Sequence, residues 1–132
     1  MTRLNTIQNC KPSLTESQIM QAVGDYLQYA QNQGKLYYTR LNSGSAFVKR
    51  GNKFYKIQLC EKGTADFFVL TSSQSGLSIP RIIFLELKAG KRKQELEQKE
   101  FQRLIENFGA EYCLVRSIEE LQKLLENRHL FL

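Results

Sequence analysis

The sequence predicts one α/β domain, built on a mixed β-sheet with helices packed on its faces. Residues 81–88 form an apolar run long enough for a strand buried on both faces. A second apolar run, residues 63–70, precedes it across a connection rich in turn-forming residues, and this pattern predicts an antiparallel hairpin. A helical pattern then leads to a short strand at residues 111–115. That order requires two parallel strands joined by a right-handed crossover.

The composition is typical of a soluble globular domain. The chain has 132 residues, of which 42% are hydrophobic and 24% charged, enough for one domain with a real core. We expect residues 1–12 to form a flexible arm and residues 13–132 a single domain. No apolar stretch approaches the length of a membrane span, and the polar start has no signal-peptide character. Three cysteines without zinc-type or disulfide spacing (Cys10, Cys60 and Cys113) favour a reducing, cytoplasmic compartment.

The first predicted helix begins after residue 13 and ends at Gly34. Ser13 and Glu16 have the spacing of a capping box, so Glu16 is interpreted first as a helix cap. A role for Glu16 in metal binding stays open at this point. The apolar stripe of the helix consists of Ile19, Val23, Leu27 and Ala30.

A strand at residues 36–41 and a hairpin follow. Gly51 and Asn52 form a two-residue turn signal between residues 47–50 and 53–59. The second hairpin strand alternates apolar and polar residues, which predicts one apolar face. Basic side chains near the turn could contact a phosphate backbone, or could protect an exposed edge from aggregation.

The next helical pattern covers residues 94–108 and stops at Gly109. Its apolar stripe contains Phe101, Leu104, Ile105 and Phe108, and Gln98 falls on the same face. A buried glutamine needs hydrogen-bond partners. Gln98 is therefore either a core amide bonded to backbone or a polar group directed at a functional site. Residues 117–120 repeat the capping-box pattern and open a last helix.

Three charged residues in the central hairpin form a candidate site. Glu86 and Lys88 are two residues apart on one strand and share a face with Phe84. If the hairpin closes about Gly76, Asp66 lies opposite Glu86, and two carboxylates about 5 Å apart repel by on the order of 3 kcal/mol. A divalent cation together with Lys88 would offset that repulsion. The alternative is a structural ion pair at a strand end.

The charge distribution favours a nucleic-acid partner. The formal net charge is +6, and basic residues cluster directly after the glutamate strand and around the hairpin turn. A solvated basic face would give the same count. A phosphate loop at residues 89–93 is excluded because its first glycine would fall at Leu85. A hydrolase triad is excluded because the single histidine, His129, lies in the tail, far from a serine or cysteine.

These residues resemble a known nuclease superfamily. An aspartate on one strand followed by a glutamate-any-lysine triplet ending the next is similar to the PD-(D/E)xK pattern. Within it, the chain resembles the virus-type replication-repair nuclease (VRR-NUC) domain over about residues 13–118. The matching features are residues 63–66, the 86–88 triplet, Gln98, Gly109, the early helix with Glu16, and residues 40–44. Ala65 stands where the superfamily pattern has proline.

The resemblance implies a restriction-endonuclease-like fold with an αβββαβ core and an added hairpin. It also implies a Mg²⁺- or Mn²⁺-dependent nuclease of structured DNA. Asp66, Glu86 and the carbonyl of Leu87 would bind the metal, with Glu16 as a further ligand, directly or through water. Lys88 would activate the attacking water, and Gln98 would support the site. The expected DNA-binding residues are Arg40, Ser43, Lys49, Arg50, Lys53, Lys91, Arg92 and Lys93.

The expected activity is resolution of four-way DNA junctions by a homodimer, in DNA repair within a bacterial or phage-infected cell. Alternatives are a monomeric flap or single-strand nuclease, a non-catalytic basic DNA-binding module, and a structural protein with a buried ion pair. Neither a membrane nor a nucleotide cofactor is expected as a partner. Five aromatic residues could form the dimer interface or pack in the core: Tyr37, Tyr38, Phe47, Phe54 and Tyr55.

Overall fold

The computed structural model describes residues 13–72 and 79–126 and shows a mixed α/β architecture over them. The predicted arm (residues 1–12), Gly76 and His129 lie outside those ranges. No helix within them is long and apolar enough to cross a membrane. In chain order the elements are α1 (Glu16–Asn32), β1 (Leu36–Arg40), β2 (Ser45–Arg50), β3 (Lys53–Gln58), β4 (Phe67–Ser72), β5 (Pro80–Leu87), α2 (Leu96–Asn107), β6 (Glu111–Val115) and α3 (Ile118–Glu126).

Four strands form the main sheet in the order β1-β4-β5-β6. β4 runs antiparallel to both of its neighbours, β1 and β5, whereas β5 and β6 run parallel and are joined through α2. The pairing of Ser72 with Pro80 and of Phe67 with Leu85 confirms a hairpin centred on residue 76. The remaining strands, β2 and β3, pair only with each other in the described structure and lie between β1 and β4 in the chain.

The main sheet is covered on both faces, as the sequence predicts. One apolar cluster joins α1 and α3 to the sheet through residues such as Val23, Leu121 and Leu85. A smaller cluster around Ile105 and Tyr112 joins α2 to the opposite face. Successive side chains of a strand point to opposite faces, so β5 contributes to both clusters. This double burial makes the end of β5 a low-polarity environment.

The predicted cap of α1 is wrong in detail. The helix begins at Glu16, so Thr15 is its cap: the Thr15 hydroxyl accepts from the Gln18 N–H, and the Gln18 side chain accepts from the Thr15 N–H. Ser13 and Glu16 therefore do not form a capping box. The second predicted box is confirmed in part, because the Ser117 hydroxyl accepts the Glu120 N–H at the start of α3.

The predicted apolar stripe of α2 is also only partly correct. Ile105 is buried, and Phe101 packs edge-on against Phe84 with ring centres 5.2 Å apart. Leu104 and Phe108 are exposed instead. The helix ends at Asn107, so Phe108 lies beyond it, and an amphipathic helix on a sheet buries only the residues of its inward stripe.

Most of the five aromatic residues predicted to form an interface or pack in the core lie outside the core. Phe47, Phe54, Tyr55 and Tyr37 are exposed, so ordinary core packing is wrong for these four. Tyr38 is half-buried and packs against Phe67, with ring centres 6.1 Å apart. The predicted apolar face of β3 covers no core, because β3 is exposed along its whole length.

A charged clasp holds the end of the sheet opposite the charged triplet. The Arg81 guanidinium donates two hydrogen bonds to the Glu111 carboxylate, each 2.9 Å, and a third to the Leu124 carbonyl of α3. The side chains of Arg81 and Glu111 are only 15% and 30% exposed, so solvent screens this pair little. The clasp connects β5, β6 and α3 at one point.

We predict that Arg81→Ala destabilises the domain by roughly 2 kcal/mol, because a bidentate charged pair and a bond to a helix end are lost together. Chemical denaturation followed by circular dichroism measures this change. The matched control is Arg103→Ala on the exposed side of α2, expected within about 0.5 kcal/mol of the parent. Equal stabilities for the two variants would contradict the clasp.

Candidate active site

The charged residues predicted as a site come together at one end of the main sheet. Asp66 immediately precedes β4, and Lys88 immediately follows β5, which is antiparallel to it. Antiparallel neighbours place the start of one strand beside the end of the next. Glu86 is the second-to-last residue of β5, so all three residues lie at the same end of the sheet.

Glu86 is buried in this apolar surrounding. Its residue exposure is 4%, and one carboxylate oxygen, Oε2, has no hydrogen-bond partner among the described residues. Burial raises the pKa of Glu86 to about 8, and the charge of Asp66 adds to the rise. At neutral pH the ionised form is thus penalised, first by desolvation and then by the neighbouring carboxylate.

Lys88 is the nearest cation to Glu86. Its Nζ lies 3.9 Å from Glu86 Oε1, and the residue is also only 4% exposed. The position of its backbone is fixed by an N–H bond to the Val115 carbonyl of β6. At this distance the ammonium lowers the pKa of Glu86 electrostatically without making a tight hydrogen bond. The ion pair alone therefore leaves much of the Glu86 charge uncompensated.

Gln98 combines the two roles that the sequence leaves open. Its side-chain oxygen accepts the Glu95 N–H at the start of α2, at 2.9 Å. Its amide nitrogen donates to Glu86 Oε1, at 2.6 Å. Because the oxygen is held by the helix cap, the NH₂ group is the end presented to the carboxylate. The cap of α2 thereby orients a donor toward the site.

Asp66 is held at a local irregularity of the β4–β5 pairing. The regular register ends at Phe67 opposite Leu85, and the Asp66 N–H also donates to the Leu85 carbonyl, as in a β-bulge. The predicted direct pairing of Asp66 with Glu86 is therefore displaced by one residue. The Asp66 carboxylate instead accepts the Leu87 N–H at 2.8 Å. Burial raises the pKa of Asp66, and this hydrogen bond opposes the rise.

The two carboxylates have the chemistry of a divalent-cation site. The pKa of each carboxyl is raised, so ionisation is unfavourable without a nearby positive charge. The unpartnered Oε2 of Glu86 is an oxygen that a cation could bind. Mg²⁺ binds oxygen ligands, commonly one or two carboxylates completed by waters. Asp66, Glu86 and the Leu87 carbonyl fit that donor set. A cluster of three or more metal-ligating side chains is absent from residues 13–72 and 79–126.

Glu16 lies near the site, but its carboxylate has another partner. Its Oε1 accepts from the Arg92 guanidinium at 2.9 Å, an exposed ion pair between the start of α1 and the loop after β5. Burial is the main cause of the raised pKa of Asp66 and of Glu86, and the negative charge of Glu16 is a smaller cause of both shifts. The structure thus gives Glu16 an ion pair rather than a cap, and its role as a ligand stays a prediction.

A cleft leads from the surface to Asp66. It has a volume of about 550 Å³ and is bounded by the end of β1 and the base of the β2–β3 hairpin. The charge of Arg40 lowers the pKa of Asp66, which is partial compensation from the cleft side. The predicted residues Arg40 and Ser43 both line the cleft, and sequence reasoning missed Asn42 between them. Lys49, Arg50 and Lys53 lie farther along the hairpin, while Lys91 and Lys93 are exposed after β5.

Gly63 sets the distance between the Asp66 segment and α2. It has a φ of +94°, and an added Cβ would clash with the Glu97 carbonyl oxygen of α2. Only glycine allows this backbone contact, one residue away from Gln98. Sequence reasoning noted Gly63 within the 63–66 motif, yet the signal for its packing role lies in the structure.

We predict that Gly63→Ala destabilises the domain by more than about 2 kcal/mol, because left-handed strain adds to a backbone clash. The control is Gly44→Ala, where φ is +93° and nothing lies within 4 Å of the added carbon. That variant should lose only about 1 kcal/mol through strain. Thermal unfolding of both variants isolates the clash, and a Gly63 variant no weaker than the Gly44 variant would disprove the close approach.

Comparison of the chain with protein-family models, with curated proteins and with solved structures found no match. The functional interpretation therefore depends on the geometry of the site and on the pattern of its residues.

Proposed function

We propose that this protein is a divalent-metal-dependent endonuclease that hydrolyses phosphodiester bonds in structured DNA. The single observation that carries the proposal is the buried Glu86 carboxylate, with one unpartnered oxygen, close to both Asp66 and Lys88. Burying such a group costs free energy unless a counter-charge arrives. A bound divalent cation would provide the missing counter-charge.

The donor set determines which residues would hold the metal. Asp66 and Glu86 supply carboxylate oxygens, and the Leu87 carbonyl is the third candidate ligand. Mg²⁺ or Mn²⁺ held there would polarise a phosphoryl oxygen and lower the pKa of a bound water. The chain's own task is to keep these oxygens in place, which the Leu87 N–H does for Asp66 and Gln98 does for Glu86.

Lys88 would contribute positive charge where the reaction develops negative charge. Its ammonium is nearly inaccessible to solvent and lies beside Glu86. In a water-poor site a fixed cation stabilises the extra charge on the phosphoryl oxygens more strongly than in bulk solvent. Lys88 can also orient the attacking water through its N–H donors.

The surrounding charges suit a polyanionic substrate. Arg40 and Ser43 line the cleft at Asp66, and Arg92 follows the end of β5. Contacts between such residues and phosphates are independent of base sequence. DNA binding through this surface would therefore depend on backbone geometry and salt.

The geometry favours this proposal over a structural ion pair. A pair retained for structure would be expected to satisfy its polar atoms. Here Lys88 and Glu86 are separated by 3.9 Å and a second carboxylate lies nearby. A non-catalytic DNA-binding module would explain the basic surface but would not require the buried acidic pair.

Four-way junctions are the substrate that we propose, with a homodimer as the working unit. Resolving such a junction requires two symmetric incisions, and each chain carries one candidate site. A two-fold dimer supplies two sites related as the arms are. The exposure of several large apolar side chains leaves surface available for an interface.

Sedimentation paired with cleavage of four-way, flapped and single-stranded DNA tests the homodimer and its substrate. A strict monomer that cuts only flaps would overturn both and spare the nuclease assignment.

The first functional prediction concerns Lys88. Lys88→Ala should remain folded and bind DNA, but its Mn²⁺-dependent cleavage rate should fall at least about 100-fold, because the buried cation beside Glu86 is lost. The control is Lys62→Ala, which removes an exposed lysine paired with Glu97 and should cut at nearly the parental rate. A folded Lys88 variant with parental turnover would disprove the mechanism.

The second concerns the metal and can be tested without DNA. In metal-free buffer at neutral pH, Glu86→Gln should stabilise the domain by on the order of 2 kcal/mol, because a carboxyl whose pKa is raised to about 8 must take up a proton when the parent folds, whereas the amide needs none. Added Mg²⁺ or Mn²⁺ should raise the melting temperature of the parent and raise it less for Glu86→Gln or Asp66→Asn. Glu100→Gln, on the exposed surface of α2, is the control and should behave like the parent. Absence of metal binding by calorimetry at millimolar concentration would rule out the carboxylate site.

A further inference from the structure

We propose that one face of the β2–β3 hairpin binds unpaired nucleotides by stacking their bases on Phe47 and Phe54. This inference depends on the proposed function only for the class of ligand, and it adds a second element of recognition outside the cleft. It would direct the protein to branch points and single-stranded ends, where bases are free to stack.

The register of the hairpin defines the face. Phe47 pairs with Lys56, and Lys49 pairs with Phe54. Alternation along the two strands places these four side chains on one face. The two rings are diagonal neighbours, a relation that separates residues by roughly 7–8 Å. The face is thus a compact square of two rings and two ammonium groups.

Both rings are accessible. Phe47 is 72% and Phe54 69% exposed, values far from those of core aromatics in this chain. The Lys49 ammonium lies 5.9 Å from the centre of the Phe54 ring, within the range of a cation–π contact. An exposed ring costs free energy in water unless a partner covers it. A nucleotide base offers a flat apolar surface of suitable size.

The charge of the hairpin selects the partner. The chain has no aspartate or glutamate between residues 41 and 60, whereas four basic residues occur there: Lys49, Arg50, Lys53 and Lys56. Phosphates of a bound strand would neutralise these charges. A second copy of the hairpin would bring the same positive charge against itself, so like-charge repulsion disfavours symmetric pairing.

Aromatic rings among cations suit a single strand better than a duplex. Single strands are bound by basic surfaces whose aromatic side chains stack on successive bases. In a duplex the base faces are covered by their neighbours, and only edges and backbone are accessible. Lysines alone would serve duplex and single strand alike. The rings therefore predict preference for unpaired bases.

The base of the hairpin borders the cleft. Ala46 near the start of β2 and Leu59 just after β3 both line the cleft that contains Asp66. Phe47 directly follows Ala46, and Phe54 lies nearer the turn. By the same alternation, Ala46 and Leu59 belong to the face opposite the rings, so the ring face and the cleft meet at the edge of the hairpin.

The experiment uses the absence of tryptophan from the sequence. Phe54→Trp introduces a unique fluorophore on the face, and EDTA prevents metal-dependent cleavage. A single-stranded oligonucleotide should quench this fluorescence, and the same strand in a blunt duplex should quench it far less at equal occupancy. Phe108→Trp, at a site 84% exposed beyond the end of α2, is the matched control and should respond to neither DNA.

Affinity measurements with the alanine variants complete the test. Phe47→Ala with Phe54→Ala should weaken single-strand binding at least about fivefold, because the stacking surfaces for unpaired bases are lost. Duplex binding should change less than about twofold, and Phe108→Ala should change neither. Equal losses for both DNAs, or no loss, would overturn the proposal. So would sedimentation showing self-association that Phe47→Ala and Phe54→Ala abolish. Binding in EDTA is independent of cleavage, so an inactive enzyme with intact stacking would refute only the nuclease proposal.

Discussion

The buried charge of Glu86 is the constraint on which the rest of this structure depends. An apolar strand covered on both faces carries a carboxylate at its end, where desolvation and Asp66 both oppose ionisation. Among the described residues, the Gln98 amide donates to Glu86 and the Lys88 ammonium lies 3.9 Å from it, while Glu86 Oε2 has no hydrogen-bond partner. This incompletely compensated carboxyl lowers the stability of the folded state, and a bound cation would offset that cost.

The surrounding elements hold this arrangement in place. The cap of α2 fixes the Gln98 amide, Gly63 lets the segment before Asp66 touch α2, and the bulge at Asp66 directs its carboxylate to the Leu87 N–H. Each of these three features involves only a few residues, and together they connect segments that are distant in the sequence. Functional sites commonly keep such unfavourable groups because the remaining core supplies the stability. Here the two apolar clusters on opposite faces of the main sheet supply it.

The two proposed binding regions, the acidic site and the β2–β3 hairpin, lie in different parts of the molecule. The candidate metal ligands lie at the sheet end, whereas the basic and aromatic side chains of β2 and β3 project beyond the core. A phosphate backbone would be repelled by two bare carboxylates, so cations nearby are needed to bring it close. Arg40, in the cleft between these regions, connects the two environments electrostatically.

The sequence by itself determined the order of elements, the hairpin centred on residue 76 and the convergence of Asp66, Glu86 and Lys88, because these follow from periodicity and strand alternation along neighbouring segments. Only the tertiary structure decided the rest. The partner of Glu16 is Arg92, distant in sequence, and the exposure of Phe108 depends on how much surface α2 covers. The Asp66 backbone bonds to both neighbouring strands, accepting from the Leu41 N–H and donating to the Leu85 carbonyl outside the regular register. Local patterns specify which face a side chain prefers, but contacts between remote segments decide what it meets there.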